Sequence, residues 1–404
     1  MHNLHKKNTI RYYLLIAFFL LILFLSNDFG LTDVQKTAII VSVGIDKEGE
    51  DFLLTSQIAI PHSSKQGQAS EVVQLGSRGK TIGEAFEEIN AKTGWYPKLV
   101  FCNLIVLGKS IANENVFDAL DFFLRDEYLT DNCLVATCDG TAKEIIDTSA
   151  LVEDSSATAI NKVLSEHAKR VGAVLPNTLK NFSIGYFGES ASGYLPILKK
   201  EPQQEPLDEE KSQKTSTNAN EDSQQSAQKE KEDKKKPVFS AGETALFVKG
   251  KRVGTLNKTE TFALSAVRNR LRLASYSLKK GEETCILTIK QNSPKISLRS
   301  KDKLPLTLDV SVTMSAGILD FSKSQPLEEI TDIGDVPPSV FPLAEKQLSK
   351  EIESVFEKCK RLNCDLFGVR ERLIKYEKRH LKKYKDVAFQ NTQARVAVTF
   401  RNVR

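Results

Sequence analysis

Two short segments of the chain carry the residue types that phosphate binding or nucleophilic catalysis needs. Residues 79–81 read Gly-Lys-Thr, the end of a phosphate-binding loop, and residues 188–192 read Gly-Glu-Ser-Ala-Ser, close to the turn that exposes a nucleophilic serine. The first motif requires a glycine where Gln74 stands, and the second requires one where Ser192 stands. We therefore interpret Thr81 as a helix-capping residue. The sequence predicts no catalytic residue and no cofactor-binding residue.

Acidic and sulfur-bearing side chains could bind a metal ion. The carboxylates from Asp46 to Asp51 do not have the spacing of a calcium-binding loop, and a solvated turn between two strands explains them. The six cysteines are at positions 102, 133, 138, 285, 359 and 364. An even number permits disulfides in an exported protein, but Cys102, Cys133 and Cys359 fall within apolar patterns where a free thiol packs as a small hydrophobe. We predict buried thiols and no metal site.

An apolar segment from Tyr12 to Leu25 determines where the chain is expected to act. Basic residues precede it and Asp28 and Asp33 follow it, so the N-terminus is expected to be cytoplasmic and the rest exported. A helix of this length spans only about 21 Å of a hydrocarbon core of roughly 30 Å. No small-residue cleavage site follows Leu25. The sequence predicts an uncleaved anchor within residues 1–28, with a cleaved export signal as the alternative.

A polar tract divides the exported part of the chain. From Glu201 to Lys236 the sequence is dominated by Gln, Glu, Lys and Ser, and Leu207 is its only large apolar residue. Such a composition cannot offset the entropy of ordering the chain, so we predict a linker or insertion. The predicted boundaries are a cytoplasmic tip and membrane segment at 1–28, an N-terminal α+β region of one or two subdomains at 35–198, the tract at 199–238 and a C-terminal α+β domain at 239–404.

Hydrophobic periodicity predicts strands and helices on both sides of the tract. Capping pairs at Thr81–Glu84 and Thr141–Glu144 mark two helix starts, and a long apolar stripe over 343–362 marks a core-facing helix. The other expected elements are strands at 38–45, 52–60, 99–107, 133–138, 242–248, 252–256, 285–290, 306–314 and 394–400, and helices at 82–92, 116–124, 156–170 and 264–271. The strand–helix–strand order indicates one parallel crossover. The predicted fold class is α+β, with successive mixed-sheet domains and flanking helices after one N-terminal membrane segment.

A strongly basic helix is predicted after Gly368, with its lysines and arginines between Lys375 and Lys383. Basic residues on one face could meet nucleic acid or acidic lipid, but export separates the chain from nucleic acid, so no nucleic-acid partner is expected. A solvated outer face explains the helix, and contact with a membrane surface or an acidic partner is the alternative.

Several short motifs follow one another along the exported chain. They are Val43-Gly44-Ile45-Asp46, Gln57-Ile58-Ala59-Ile60-Pro61, Gly79–Ala85, Ile105–Lys109, Phe123–Asp126, Asp139–Lys143, Gly242–Phe247 and Asp365–Gly368. No single motif is specific, but their order resembles that of the Ger(x)C, or GerAC-like, family, the C subunits of bacterial spore germinant receptors. The resemblance implies an α+β fold of successive sheet-bearing domains. It also implies a non-enzymatic subunit that works with two integral-membrane subunits, of A and B type, at the spore inner membrane, where a small nutrient germinant triggers germination.

The N-terminus departs from the family pattern. Family members begin with a lipoprotein signal ending in a lipid-bearing cysteine, and Asp28 stands where that cysteine is expected. The chain therefore has no lipidation residue, and we expect the apolar segment itself to hold it on the exported face of the membrane. The alternative function is an exported solute-binding or envelope-structural protein without integral-membrane partners, and an envelope hydrolase is a third hypothesis. The sequence leaves the ligand-binding residues and the germinant unknown.

Overall fold

The computed structural model describes residues 12–21, 37–60, 71–148, 153, 155–165, 170, 172–202, 237–280, 283–299, 304–322, 335–376 and 387–402. The first of these segments is a solvent-exposed helix, α1, at 12–21. Among the described residues, no helix combines the length and the apolar character needed to cross a membrane. Asp28, most of the polar tract and the basic residues 377–386 lie outside the described ranges. The membrane anchor and the full basic helix therefore stay predictions.

The larger sheet contains ten strands within the described part of the chain. The strands are β1 Thr37–Glu48, β2 Asp51–Ile60, β3 Glu71–Gly79, β4 Tyr96–Lys98, β5 Leu104–Leu107, β6 Leu134–Cys138, β7 Asn177–Thr178, β8 Ser192–Glu201, β9 Val238–Val248 and β10 Lys251–Leu256. Their main order is β10-β9-β8-β6-β5-β1-β2-β3, with β4 beside β1 and β7 beside β6. β1 pairs antiparallel with β2, which confirms the two strands predicted at 38–45 and 52–60 on either side of a turn. β5 pairs parallel with both β1 and β6, which confirms the crossover.

Helices cover both faces of the larger sheet. They are α2 Ile82–Thr93, α3 Lys109–Ala112, α4 Phe117–Arg125, α5 Ala142–Ile146, α6 Ser156–Leu164 and α7 Leu179–Phe187. Central β5 is buried on both sides: Ile105 belongs to the apolar cluster that contains α2 and α4, and Val106 belongs to the cluster that contains α5 and α6. The strand predicted at 99–107 begins only at Leu104, because the preceding residues form a turn in which the Cys102 N–H donates to the Leu99 carbonyl at 2.8 Å.

A second, four-stranded sheet lies in the C-terminal half. Its strands are β11 Ala274–Lys280, β12 Glu283–Arg299, β13 Leu306–Phe321 and β14 Thr392–Asn402, and the accompanying helices are α8 Lys258–Val267, α9 Phe341–Arg361 and α10 Val369–Tyr376. β11, β12 and β13 are antiparallel, whereas β14 runs parallel to β13. The apolar stripe of α9 is confirmed, because its buried residues are Ala344, Leu348, Ile352, Val355, Phe356 and Cys359.

One helix in this half begins earlier than its apolar pattern predicts. α8 starts after Asn257, whose side chain accepts from the Glu260 N–H while the Glu260 carboxylate accepts from the Asn257 N–H, both at 2.9 Å. This capping box fixes the helix start at Lys258, six residues before the start of the helix predicted at 264–271. Strand β11, which the sequence pattern did not predict, follows the helix.

The polar tract does not separate the two sheets. β8 precedes it and β9 follows it, yet the two strands pair antiparallel, from Ser192 opposite Val248 to Glu201 opposite Val238. β9 and β10 were expected to begin the C-terminal domain at 239–404, and they belong instead to the larger sheet. The boundary between the sheets therefore lies after Leu256, and the tract is an insertion between neighbouring strands. Composition cannot reveal this, because the pairing joins residues far apart in sequence.

Candidate functional site

Thr81 caps a helix, as its sequence context predicts. Its hydroxyl accepts a hydrogen bond from the Glu84 N–H at 3.1 Å, and the Glu84 carboxylate accepts from the Lys80 N–H at 2.7 Å. A Cβ added at Gly79 would lie 2.5 Å from the backbone nitrogen of Ala85, so the chain is closely folded here. The Gly-Lys-Thr segment therefore connects the end of β3 to the N-terminus of α2, as the capping interpretation requires.

The serines of the second catalytic candidate hold backbone groups. The Ser192 hydroxyl donates to the Ser190 carbonyl at 2.8 Å and accepts from the Asp365 N–H at 3.0 Å. Both serines are buried. A hydroxyl engaged in this way joins two parts of the fold, and nothing in its described surroundings activates it as a nucleophile.

The interpretation of the acidic residues 46–51 as a solvated turn is wrong for Asp46. β1 continues through Glu48, so Asp46 lies inside the strand and is buried. Its two carboxylate oxygens accept from the backbone N–H groups of Ala142 at 2.8 Å and Lys143 at 2.9 Å, the first residues of α5. Burial raises the pKa of Asp46, and these two hydrogen bonds act against that shift. Asp46 is therefore a long-range cap for α5, supplied from another element.

Several family motifs meet around this carboxylate because the carboxyl ends of parallel strands lie at one edge of the sheet. Gly108 directly follows β5, and a Cβ there would lie 1.8 Å from Asp46 Oδ1. A Cβ at Gly44 would lie 2.9 Å from the Ile146 side chain. The Thr141 hydroxyl adds a second cap to α5 by accepting from the Glu144 N–H at 3.2 Å. These residues are packed against one another, so the motifs here position α5 and leave no room for a ligand.

Asp365 forms a second capping site that joins the two halves of the chain. Its carboxylate accepts from the N–H groups of Val369 at 3.0 Å and Arg370 at 2.8 Å, which begin α10. Burial raises the pKa of Asp365 despite these hydrogen bonds. The neighbouring Cys364 thiol donates to the Phe247 carbonyl on β9 at 3.5 Å. The residue before the Asp365–Gly368 motif therefore contacts strand β9 of the larger sheet.

The predicted burial of the thiols is confirmed. All six cysteines are buried and none is in a disulfide. Burial raises the pKa of Cys138 and of Cys364 to about 12, so these thiols remain protonated near neutral pH. The cysteines act as packing residues.

A cleft of about 580 Å³ opens beside the Asp365 motif, between the two halves of the chain. Its walls come from α7 and β8 on one side and from the end of α8, β12 and α10 on the other. The polar and charged residues of its lining include Asn181, Arg268, Arg270, Glu371 and Arg372. Sequence reasoning did not find this cleft, because its residues lie on elements brought together only by the tertiary fold.

Basic side chains line the cleft. Arg268 donates to the Leu366 carbonyl at 2.9 Å, and its guanidinium lies 5.2 Å from the centre of the Tyr194 ring. Arg372 donates to the Phe367 carbonyl at 2.6 Å. Glu371 Oε1 accepts from the Ser190 N–H at 3.4 Å. Two arginines of the lining therefore donate to backbone carbonyls of the Asp365 motif.

The described residues thus define a class of protein: an α+β protein of two sheets, with buried carboxylates that cap helices across the fold. They contain no group of three or more potential metal-ligating side chains. Residues 31–200 match the family described as spore germination protein N-terminal domain, and residues 242–403 match the family described as spore germination B3/GerAC like, C-terminal. The protein belongs to this GerAC-like family of spore germination proteins, which confirms the resemblance seen in the sequence.

Two relatives from Bacillus subtilis (strain 168) share part of the sequence. Spore germination protein A3 is 26% identical over 186 residues, which are 43% of this chain and 47% of the relative. Spore germination protein B3 is 30% identical over 134 residues, which are 31% of this chain and 35% of the relative. The matches therefore span about half of the first relative and about a third of the second.

The fold is similar to that in the crystal structure of the GerBC protein. The TM-score is 0.52 at 16% sequence identity, and the match covers 92% of this chain and 100% of that chain. This likeness confirms the predicted mixed α+β fold with helices.

Proposed function

We propose that this protein is a non-enzymatic C-type subunit of a nutrient germinant receptor and acts in spore germination. The observation that carries the proposal is that both family regions occur in order in one chain, at 31–200 and 242–403. The family motifs at Asp46 and Asp365 hold helices and loops in place and offer no exposed reactive group. A protein built in this way is suited to assembly and signalling.

Two integral-membrane subunits, of A and B type, are the proposed partners, and the exported face of the spore inner membrane is the proposed location. The names of the two Bacillus subtilis relatives support a role in germination. The basic flank and apolar run up to Leu25 support an anchor, since Asp28 takes the place of a lipid-bearing cysteine.

Deletion of the gene tests this role. Spores that lack the protein should lose their response to the nutrients that trigger wild-type spores, measured as the fall in optical density of a spore suspension. Complementation with the full chain should restore the response. A variant without residues 203–236 should restore the nutrient response as well. Shortening an insertion between two paired strands changes the loop-closure free energy only slightly. An unchanged nutrient response in the deleted strain would contradict the proposal.

An exported solute-binding protein is the second candidate, and the cleft beside Asp365 is the observation that favours it. Such a protein would bind its ligand and would be recovered from spore membranes without integral-membrane partners. The two candidate functions predict different results on purification in mild detergent: a receptor subunit should be recovered with integral-membrane proteins, and a solute-binding protein should be recovered without them.

A further inference from the structure

Four large aromatic or aliphatic side chains are exposed at the edge of the larger sheet where its parallel strands begin. Tyr96, Val100, Phe101 and Tyr128 expose 55%, 46%, 61% and 53% of their surfaces. Tyr96 is the first residue of β4, Val100 and Phe101 precede β5, and Tyr128 precedes β6. Because β1 runs parallel to β4 and β5, and β5 to β6, these segments lie at one edge of the sheet. We call the four residues the apolar edge.

The backbone around Val100 and Phe101 holds their side chains outward. The two residues form a turn in which the Cys102 N–H donates to the Leu99 carbonyl at 2.8 Å, and Leu99 and Cys102 are themselves buried. Surface turns usually carry Gly, Pro, Asn, Asp or Ser. Two consecutive large apolar side chains at an exposed turn gain free energy when another surface removes them from water.

A lysine lies between the two tyrosines of the apolar edge. Lys98 Nζ is 5.1 Å from the centre of the Tyr96 ring and 4.9 Å from the centre of the Tyr128 ring. Tyrosine and lysine each combine an apolar body with a polar end, and tyrosine and tryptophan are enriched at the boundary between hydrocarbon and water in membrane proteins. The half-buried Trp95 adjoins Tyr96 in the sequence. The composition of the apolar edge therefore suits the surface of a lipid bilayer.

The chain enters the larger sheet at this same edge. Thr37 is the first residue of β1, and it pairs with Tyr96. Eleven residues, 26–36, separate Thr37 from the apolar segment that ends at Leu25. Even a fully extended chain of this length spans only about 40 Å, so Thr37 lies within that distance of any membrane that holds the segment. A second contact made by a tethered domain is effectively intramolecular, so a weak one suffices.

We propose that the apolar edge docks on a lipid bilayer, with Val100 and Phe101 inserted at the boundary of the hydrocarbon and Lys98 among the phosphate groups. The inference rests on the membrane location proposed above. It directs the edge of the sheet where the parallel strands begin towards the bilayer and the opposite edge, with Asp46, away from it. The exposed Glu127 accompanies Lys98 at the same edge, so apolar contact rather than charge selects the bilayer.

Fluorescence of the full-length protein in lipid vesicles tests the proposal. Trp95 is the only tryptophan of the chain, so the tryptophan emission reports on this edge alone. The vesicles consist of phosphatidylcholine with or without bromine atoms on the acyl chains, because bromine quenches tryptophan emission on close contact. Emission should be lower in the brominated vesicles, and the difference should persist at high salt, where attraction between charges is screened. Equal emission in the two kinds of vesicle would overturn the proposal.

A pair of variants assigns the contact to the named residues. Val100→Ser with Phe101→Ser should lower the ratio of docked to undocked protein about tenfold and remove most of the quenching. Both side chains are exposed, so circular dichroism should show an unchanged fold. Leu319→Ser is the matched control, since Leu319 is equally exposed but lies on β13 of the other sheet, and it should leave the quenching unchanged. Equal quenching in the double variant and the control would overturn the proposal.

The remaining outcomes separate this proposal from its neighbours. A dimer that the double substitution dissociates would overturn it, because the apolar edge would then be a contact between two copies of the chain. Failure of the chain to float with the vesicles would contradict the anchor as well, whereas floating without quenching would contradict only the docking of this edge. The measurement uses neither spores nor partner subunits, so its failure is distinct from failure of the receptor role.

Discussion

The backbone N–H of Asp365 donates a 3.0 Å hydrogen bond to the hydroxyl of Ser192, which precedes it by 173 residues. Ser192 begins β8 in the larger sheet, and Asp365 caps α10 in the C-terminal half. This buried contact is one of those that connect the two family regions next to the cleft. Loss of this hydrogen bond should destabilise the packing of the two halves of the chain against each other.

Replacement of Ser192 by alanine should lower the free energy of unfolding by about 1–3 kcal/mol, because the buried Asp365 N–H loses its acceptor. Urea unfolding of the full-length protein, followed by circular dichroism, measures the change. Ser275→Ala is the control: Ser275 is exposed on β11, so its replacement should change the free energy by no more than about 0.5 kcal/mol. Equal effects of the two substitutions would contradict the role given to Ser192.

Asp46→Ala should destabilise the fold by about 2 kcal/mol, since two backbone N–H groups at the start of α5 lose their acceptor. The exposed Glu50, four residues on, is the control, and Glu50→Ala should have little effect. Gly108→Ala tests the same site independently, because its methyl group would displace the Asp46 carboxylate. The effects of Asp46→Ala and Gly108→Ala should therefore not add in the double variant. Additive effects on the free energy of unfolding would show that Gly108→Ala destabilises the fold without displacing the Asp46 carboxylate.

Local patterns in the sequence predicted the elements better than their arrangement. The stripe of α9 and the cap at Thr81 depend on residues three or four positions apart, which the sequence displays directly. The burial of Asp46 depends on α5, which begins 96 residues later, and the pairing of β8 with β9 spans the polar tract. The cleft around Arg270 combines α7, β8, β12 and α10. Contacts of this kind follow from the tertiary fold, so a single sequence did not reveal them.

The six thiols should be unreactive in the folded protein. Burial removes access to each sulfur, and the pKa of about 12 at Cys138 and Cys364 leaves a negligible thiolate fraction at about pH 8. Ellman's reagent should label the native full-length protein very slowly and all six thiols after denaturation in guanidinium chloride. Rapid labelling of the native protein would contradict the buried positions.

Glu351 should make stability depend on pH. Burial raises the pKa of Glu351 above its ordinary value of 4.5, although the Tyr276 hydroxyl donates to its Oε2 at 3.1 Å. At a pH between 4.5 and the raised pKa, Glu351 holds a proton in the folded protein and has released it in the unfolded chain. The stability that this protonation contributes to the folded state is therefore fully present below pH 4.5 and is lost as the pH rises. The stability of the wild type relative to Glu351→Gln should therefore fall as the pH rises from about 4.5 towards neutrality.

Urea unfolding of both proteins across this pH range measures the difference. The exposed Glu353 provides the control, because Glu353→Gln should follow the pH dependence of the wild type. Parallel profiles of unfolding free energy against pH for the wild type and Glu351→Gln would contradict a raised pKa of Glu351 in the folded protein.

Purification of the affinity-tagged full chain from spore membranes in mild detergent tests the receptor role most directly. Two polytopic membrane proteins should accompany the chain in constant proportion through affinity and size-exclusion steps, and mass spectrometry should identify them as the A-type and B-type subunits. Recovery of the chain alone, with neither protein present at any detergent concentration that extracts it, would contradict the receptor role and favour an exported protein that works without integral-membrane partners.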